Sequence, residues 1–98
     1  MSAFNTLIND NSIVLVDFHA RWCAPCRVLS PEIDKVAKNM GTRLKVTKID
    51  IDKHNKIARR YHIYAVPTLT LFKDGKIIWR KSGILSSKQI ENEINKFL

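Results

Sequence analysis

Ninety-eight residues are enough for one hydrophobic core and not for two, so a single domain over residues 1–98 is expected. An apolar fraction of 45% argues against a disordered chain, and no apolar run approaches the ~20 residues of a membrane helix. The net charge of +8, from 17 basic and 9 acidic residues, raises nucleic-acid binding, but the basic residues are scattered from Arg21 to Lys96 with no recognisable binding module, so that partner is not expected. The opening "MSAFNTLINDN" lacks the basic-then-apolar plan of a signal peptide, and two cysteines are too few for a secreted disulfide framework. A cytoplasmic chain without membrane association is the expectation.

In chain order, the segment around "FNTLIND" suggests a first helix. "SIVLVDFHA" follows with a dense apolar run, Ile13 to Val16 and then Phe18. Such a run suits a strand covered on both faces. Beyond Cys26, Leu29, Ile33, Val36, Ala37 and Met40 recur at helical spacing, and Gly41 can stop the helix. Pro31 interrupts that pattern and predicts a kink. "RLKVTKIDI" alternates like a strand. "DKHNKIARRYH" reads as a short helix burying Ile57, Ala58 and Tyr61, with Lys53, Lys56, Arg59 and Arg60 in solvent. "TLTLFKDGKIIWRK" is two strands about Asp74-Gly75, a strong hairpin signal. "SSKQIENEINKFL" opens with Ser86 and Gln89 in capping-box spacing, and Ile90, Ile94 and Phe97 form its apolar stripe. This alternation argues for a three-layer α/β/α sandwich with a mixed sheet.

Both cysteines fall in "VDFHARWCAPCR", separated by Ala24 and Pro25. Three readings compete. A structural zinc site wants four ligands, and neither a second cysteine pair nor a His-x-x-His pattern accompanies this one, so no metal is expected. A structural disulfide across so short a loop restrains the unfolded chain little. The third reading is a reactive pair. Cys23 would stand at a helix start whose first turn holds Ala24, Pro25 and Cys26, with proline suited to the first position. A free thiol of pKa ~8.5 is only about 3% thiolate at pH 7. The helix end favours the thiolate by about 1 kcal/mol, and a hydrogen bond from Cys26 would add to that. Cys26, one turn in, should be more buried and act second. An acidic residue, Asp17, lies in the apolar strand just upstream.

"VDFHARWCAPCRVLSPEIDKVA", with "YAVPTLTLFKDGK" and "KSGILSSKQI" following in order, resembles the thioredoxin family from about Phe4 to Leu98. The resemblance implies a thioredoxin fold and a thiol–disulfide oxidoreductase that reduces disulfides in partner proteins. It implies that Cys23 attacks and that Cys26 resolves as a redox-active disulfide forms. Asp17 would transfer protons to and from Cys26, and Lys48 would tune Asp17; the plainer alternative is an Asp17–Lys48 ion pair in the core. It casts Trp22 as the tryptophan beside the site, Pro67 as a cis-proline facing the cysteines, and Gly83 as the residue keeping a groove open. Clients would dock as extended chain along Ala65, Val66 and Pro67, flanked by Trp22, Pro25 and Ile84. No cofactor is implied on the chain, which lacks a Gly-x-Gly-x-x-Gly fingerprint. NADPH would enter only through a thioredoxin reductase. Other readings are a disulfide oxidant or isomerase, a non-catalytic interaction subunit, and a metal or iron–sulfur carrier at a dimer interface.

Four departures stand out. His19 occupies a position that is usually aromatic, and an imidazole there is a candidate for tuning the redox pair. Ala24-Pro25 replaces the usual Gly-Pro. His62 falls where a glycine commonly follows a helix, so a left-handed backbone is expected there. Too little chain precedes Phe4 for the family's first strand, so a sheet of about four strands is expected, with that strand missing or vestigial. "RLKVTKIDI" then becomes an edge, which predicts a monomer with a weak edge-strand dimer, opposed by Arg43, Lys45 and Lys48.

Overall fold

Strand β1 (Ile13–His19) lies between two neighbours, which is why it reads as one apolar run: every residue from Ile13 to Phe18 is buried. The computed structural model describes residues 2–10 and 12–98. Helix α1 (Ser2–Ile8) precedes β1, and α2 (Ala24–Met40) follows it. After a short 3-10 turn at Gly41–Arg43 come β2 (Lys45–Asp50), α3 (Asn55–Arg60), β3 (Thr68–Lys73), β4 (Lys76–Ser82) and α4 (Ser87–Asn95). The sheet order is β2-β1-β3-β4, with β1 parallel to β2 and antiparallel to β3, and β3 antiparallel to β4. This is the expected mixed sheet of four strands, and β2 is the expected edge.

Side chains alternate across β1, so the two faces separate by residue parity. Ile13 and Leu15 point to one side and pack with Leu29, Ile33 and Val36 of α2 and Ile90 and Ile94 of α4. Val14, Val16 and Phe18 point to the other and pack with Phe4 and Ile8 of α1 and with Ile57 and Ala58 of α3. Each fully buried aliphatic or aromatic side chain contributes roughly 1.5–3 kcal/mol. Phe4, Tyr61 and Phe72 add a trio of edge-to-face rings with centroids 5.0–5.9 Å apart, tying α1 and the end of α3 to the sheet.

Local chemistry sets the element ends. Asp74 (φ 51°) and Gly75 (φ 79°) form the two-residue hairpin turn, which needs a positive φ at both positions. At α4, Ser86 Oγ accepts from the Gln89 N–H and Gln89 Oε1 accepts from the Ser86 N–H, completing the capping box. The α4 helix ends at Asn95, so Phe97 extends the apolar stripe from beyond the helix. Helix α2 runs through Pro31 to Met40, because Ile33, Val36 and Met40 behind it are anchored in the core. Helix α3 ends before Tyr61, which is half-buried rather than core. His62 takes the left-handed conformation (φ 57°) expected for it. The His62 and Ile63 N–H groups donate to the carbonyls of Arg59 and Ala58, the pattern that normally recruits glycine. Arg80 of β4 steadies the turn by donating to the Tyr61 and His62 carbonyls, each at 3.0 Å.

Candidate functional site

The site forms where the apolar row of β1 ends. On the face that carries Ile13 and Leu15, the next two residues are Asp17 and His19. Helix α2 starts over that end of the sheet. Cys23 is its N-cap, and Ala24, Pro25 and Cys26 form its first turn, with proline second rather than first. Cys23 and Cys26 are joined in a disulfide. The Cys26 backbone N–H donates to Cys23 Sγ at 3.2 Å. The hydrogen bond expected from Cys26 therefore comes from its main chain. It uses one of the donors that a helix start leaves unpaired, and it faces the sulfur that would carry charge.

Burial corrects one expectation. Cys26 is not the more buried of the two: Cys23 is 3% and Cys26 4% exposed. The bond draws the two sulfurs together, and Ala20, Ile51 and Val66 pack around the pair.

Asp17 is 1% exposed, and among the described residues its Oδ1 has no hydrogen-bond partner. Loss of hydration raises its pKa from 3.8 to about 6, against the opposing fields of His19 and Lys48; Asp34 adds to the rise. Lys48 lies opposite Asp17 across the strand pair, yet it does not pair with it. Its Nζ donates to Ser30 Oγ at 2.7 Å and to Asp34 Oδ1 at 2.8 Å, both on α2. The core ion pair considered from sequence is thus replaced by a lysine held at the cavity wall. A cavity of about 280 Å³ collects Asp17, His19, Cys26, Ser30 and Lys48.

The remaining positions approach from two loops. The Val66–Pro67 peptide is cis, with Pro67 buried, Val66 half-buried against the cysteines and Ala65 exposed. Thr68 Oγ1 donates to the Ala65 carbonyl at 2.6 Å, and the Gly83 N–H donates to the Pro67 carbonyl at 3.0 Å. These bonds hold Gly83 and the half-exposed Ile84 beside residues 65–67. Gly83 has φ +99°, and a Cβ there would meet nothing within 4 Å. Gly83→Ala is therefore expected to cost about 1 kcal/mol through the backbone alone, read as a lower urea midpoint with an unchanged m-value. An unchanged midpoint would contradict it.

Trp22 is 68% exposed, and Pro25 is exposed beside it. The Trp22 indole N–H donates to Asp52 Oδ2 at 3.0 Å. Asp50 accepts from the Asp52 and Lys53 N–H groups, which shapes the turn carrying Asp52 and lowers the Asp50 pKa. Asp52, Asp50, Ser30 and Asp34 were not singled out from sequence. The cue available was the acidic run "IDIDK" at the end of a strand on the cysteine side. Among the described residues no cluster of three or more His, Cys, Asp or Glu could hold a metal. Among them, too, no helix is long and apolar enough to cross a membrane.

A cysteine disulfide capping the helix after β1, with a buried carboxyl beneath it, defines a protein of thioredoxin fold with a redox-type Cys-x-x-Cys pair. The comparisons narrow that class. The thioredoxin family model matches residues 1–96, and the chain belongs to the thioredoxin family. It is 40% identical to a thioredoxin of Buchnera aphidicola over 92 residues, covering 94% of this chain and 84% of that one. It is 35% identical to a Bacillus subtilis thioredoxin over 86 residues, covering 88% and 83%. A solved structure of a mutant thioredoxin from Halobacterium salinarum superposes with a TM-score of 0.89 at 33% identity, covering 98% and 83%.

Proposed function

We propose that this chain reduces disulfides in partner proteins by dithiol–disulfide exchange. The observation that carries the reading is the Cys26 N–H aimed at Cys23 Sγ at the start of α2, a donor placed to stabilise a thiolate. Reduced Cys23 attacks one sulfur of a client disulfide, and the other client sulfur leaves as a thiolate and takes up a proton. Cys26 then loses its proton to Asp17 and attacks Cys23 Sγ. The Cys23–client bond breaks, and the client departs with both sulfurs reduced. The chain is left oxidised, in the bonded state seen here.

Lys48, fixed by Ser30 and Asp34, favours the Asp17 carboxylate without neutralising it, so Asp17 can both take and return a proton. Clients dock as extended chain on Ala65, Val66 and Pro67, beside Gly83, with Trp22, Pro25 and Ile84 as apolar flanks. The chain needs no bound cofactor. A thioredoxin reductase drawing on NADPH restores the dithiol. The protein works as a cytoplasmic monomer, and β2 is the edge through which a weak dimer would form.

The test is reduction of insulin disulfides coupled to NADPH and a reductase. Precipitation of insulin with matching NADPH consumption is the expected result. No turnover with several reductases, and none with dithiothreitol as donor, would overturn the reading.

A further inference from the structure

We propose that His19 relays protons between buried Asp17 and solvent during the resolving half of the exchange, acting on Cys26 only through Asp17; this rests on the reading of the cysteine pair given above. His19 is two residues beyond Asp17 on the same strand, so their side chains share a face. Both line the 280 Å³ cavity that also holds Cys26. Asp17 is 1% exposed, whereas His19 is half-buried at the end of β1. A carboxyl with so little exposure gains from a second group that carries its proton toward solvent. The cavity has room for water and presents it with the polar side chains of Asp17, His19, Ser30 and Lys48.

The other charges near His19, those of Arg21, Arg27, Lys48 and Asp50, are poor proton carriers. On β2, Lys48 is held by Ser30 and Asp34, and Asp50 accepts from two backbone N–H groups. On α2, Arg27 donates to the Arg21 carbonyl. Arginine, lysine and an N–H-bonded aspartate do not exchange protons readily near neutrality, whereas imidazole does. The other histidines are elsewhere: His62 bonds Tyr64, and His54 stands beside α3. The field of His19 also opposes the effect of burial on Asp17.

In the mixed disulfide, the Cys26 thiol gives its proton to the Asp17 carboxylate. The Cys26 thiolate attacks Cys23 Sγ and supplies the electron pair of the new S–S bond. The Cys23–client bond breaks, and the client sulfur leaves with that bond's electron pair and takes a proton from solvent. Before that attack the neutral Asp17 has passed its proton to the His19 imidazole, so the proton does not return to Cys26, and the imidazolium releases it to water. One proton leaves through His19 for each one the client gains, and the pair is oxidised as the client is reduced.

The test measures release of reduced insulin chains from stoichiometric dithiol protein by rapid quench, across neutral pH at low buffer concentration. It compares wild type, His19→Gln, Asp17→Asn and the double variant, with and without added imidazole. His19→Gln is expected to slow release about tenfold, a modest share of what acid–base groups contribute. Added imidazole should restore the rate, which it would not do for a residue that only packs. In the Asp17→Asn background, His19→Gln should change nothing further. Equal rates for wild type and His19→Gln, slowing that imidazole does not rescue, or additive losses in the double variant would each overturn the relay while leaving the reductase reading intact. A wild type that reduces no insulin would overturn both.

Discussion

Cys23→Ser and Cys26→Ser are expected to fail in opposite ways. Cys23→Ser should lose insulin reduction by roughly a thousandfold or more, because a serine hydroxyl is almost entirely un-ionised at neutral pH and no second nucleophile replaces it. It should form no covalent adduct with client. Cys26→Ser should lose turnover as completely but accumulate one client per chain as a mixed disulfide, visible on a non-reducing gel and released by dithiothreitol. The structure makes the second outcome specific. The group that donates to Cys23 Sγ is the backbone N–H of residue 26, which the substitution retains. Cys23 should therefore stay reactive toward iodoacetamide at neutral pH in Cys26→Ser. An adduct formed by Cys23→Ser would reverse the assignment of nucleophile and resolving thiol. A Cys26→Ser protein with an ordinary, sluggish thiol would show that the side chain of residue 26, not the helix end, activates Cys23.

The elements that sequence made legible share one property: their determinants are local. Asp74-Gly75 announces a turn because both residues tolerate a positive φ, and both have one. Ser86 and Gln89 announce a helix start because their bonds close within four residues. The left-handed His62 was suggested by the family resemblance, since the family commonly has glycine there, rather than by a local signal, and its support was not legible at all. Arg80 reaches the turn from a strand eighteen and nineteen residues away, and nothing in "IIWRK" signals which of its basic side chains points there.

The site divides in the same way. Spacing alone places Cys23 and Cys26 at a helix start, and strand alternation aligns Asp17 with His19. An ion pair between Lys48 and Asp17, the residue opposite it across the strand pair, was one of two readings the sequence allowed. The actual partners, Ser30 and Asp34, lie one turn apart on α2, and only the rotation of that helix over the sheet selects them. The Trp22–Asp52 bond spans thirty positions and depends on a turn shaped by Asp50. Helix position suggests greater depth for Cys26, whereas the bond and the packing of Ala20, Ile51 and Val66 bury both cysteines alike.

Asp17→Asn is expected to stabilise the fold at alkaline pH while impairing the exchange. Burial is the main cause of the high Asp17 pKa, so the folded state prefers the neutral acid. The stability gained from that preference is fully present below the unfolded-state pKa near 3.8 and is lost as pH rises through about 6. A rise from 3.8 to about 6 corresponds to about 3 kcal/mol. This is an upper figure, because the cavity opens to solvent. Asparagine keeps the shape and removes the charge. The variant should match wild type near about pH 4 and exceed it by up to about 3 kcal/mol near about pH 8, or about 10 °C or more in Tm for a domain of this size. Glu32 and Asp50 carry lowered pKa values and weaken the fold as pH falls, but they do so in both proteins and cancel in the difference. The same substitution removes the group proposed to deprotonate Cys26, so client release should slow as stability rises. A stability difference that does not vary with pH would show that packing, not the buried charge, separates the two proteins. Equal stability at alkaline pH would show that Asp17 is hydrated in solution, and the case for it as a poised base would fall with that result.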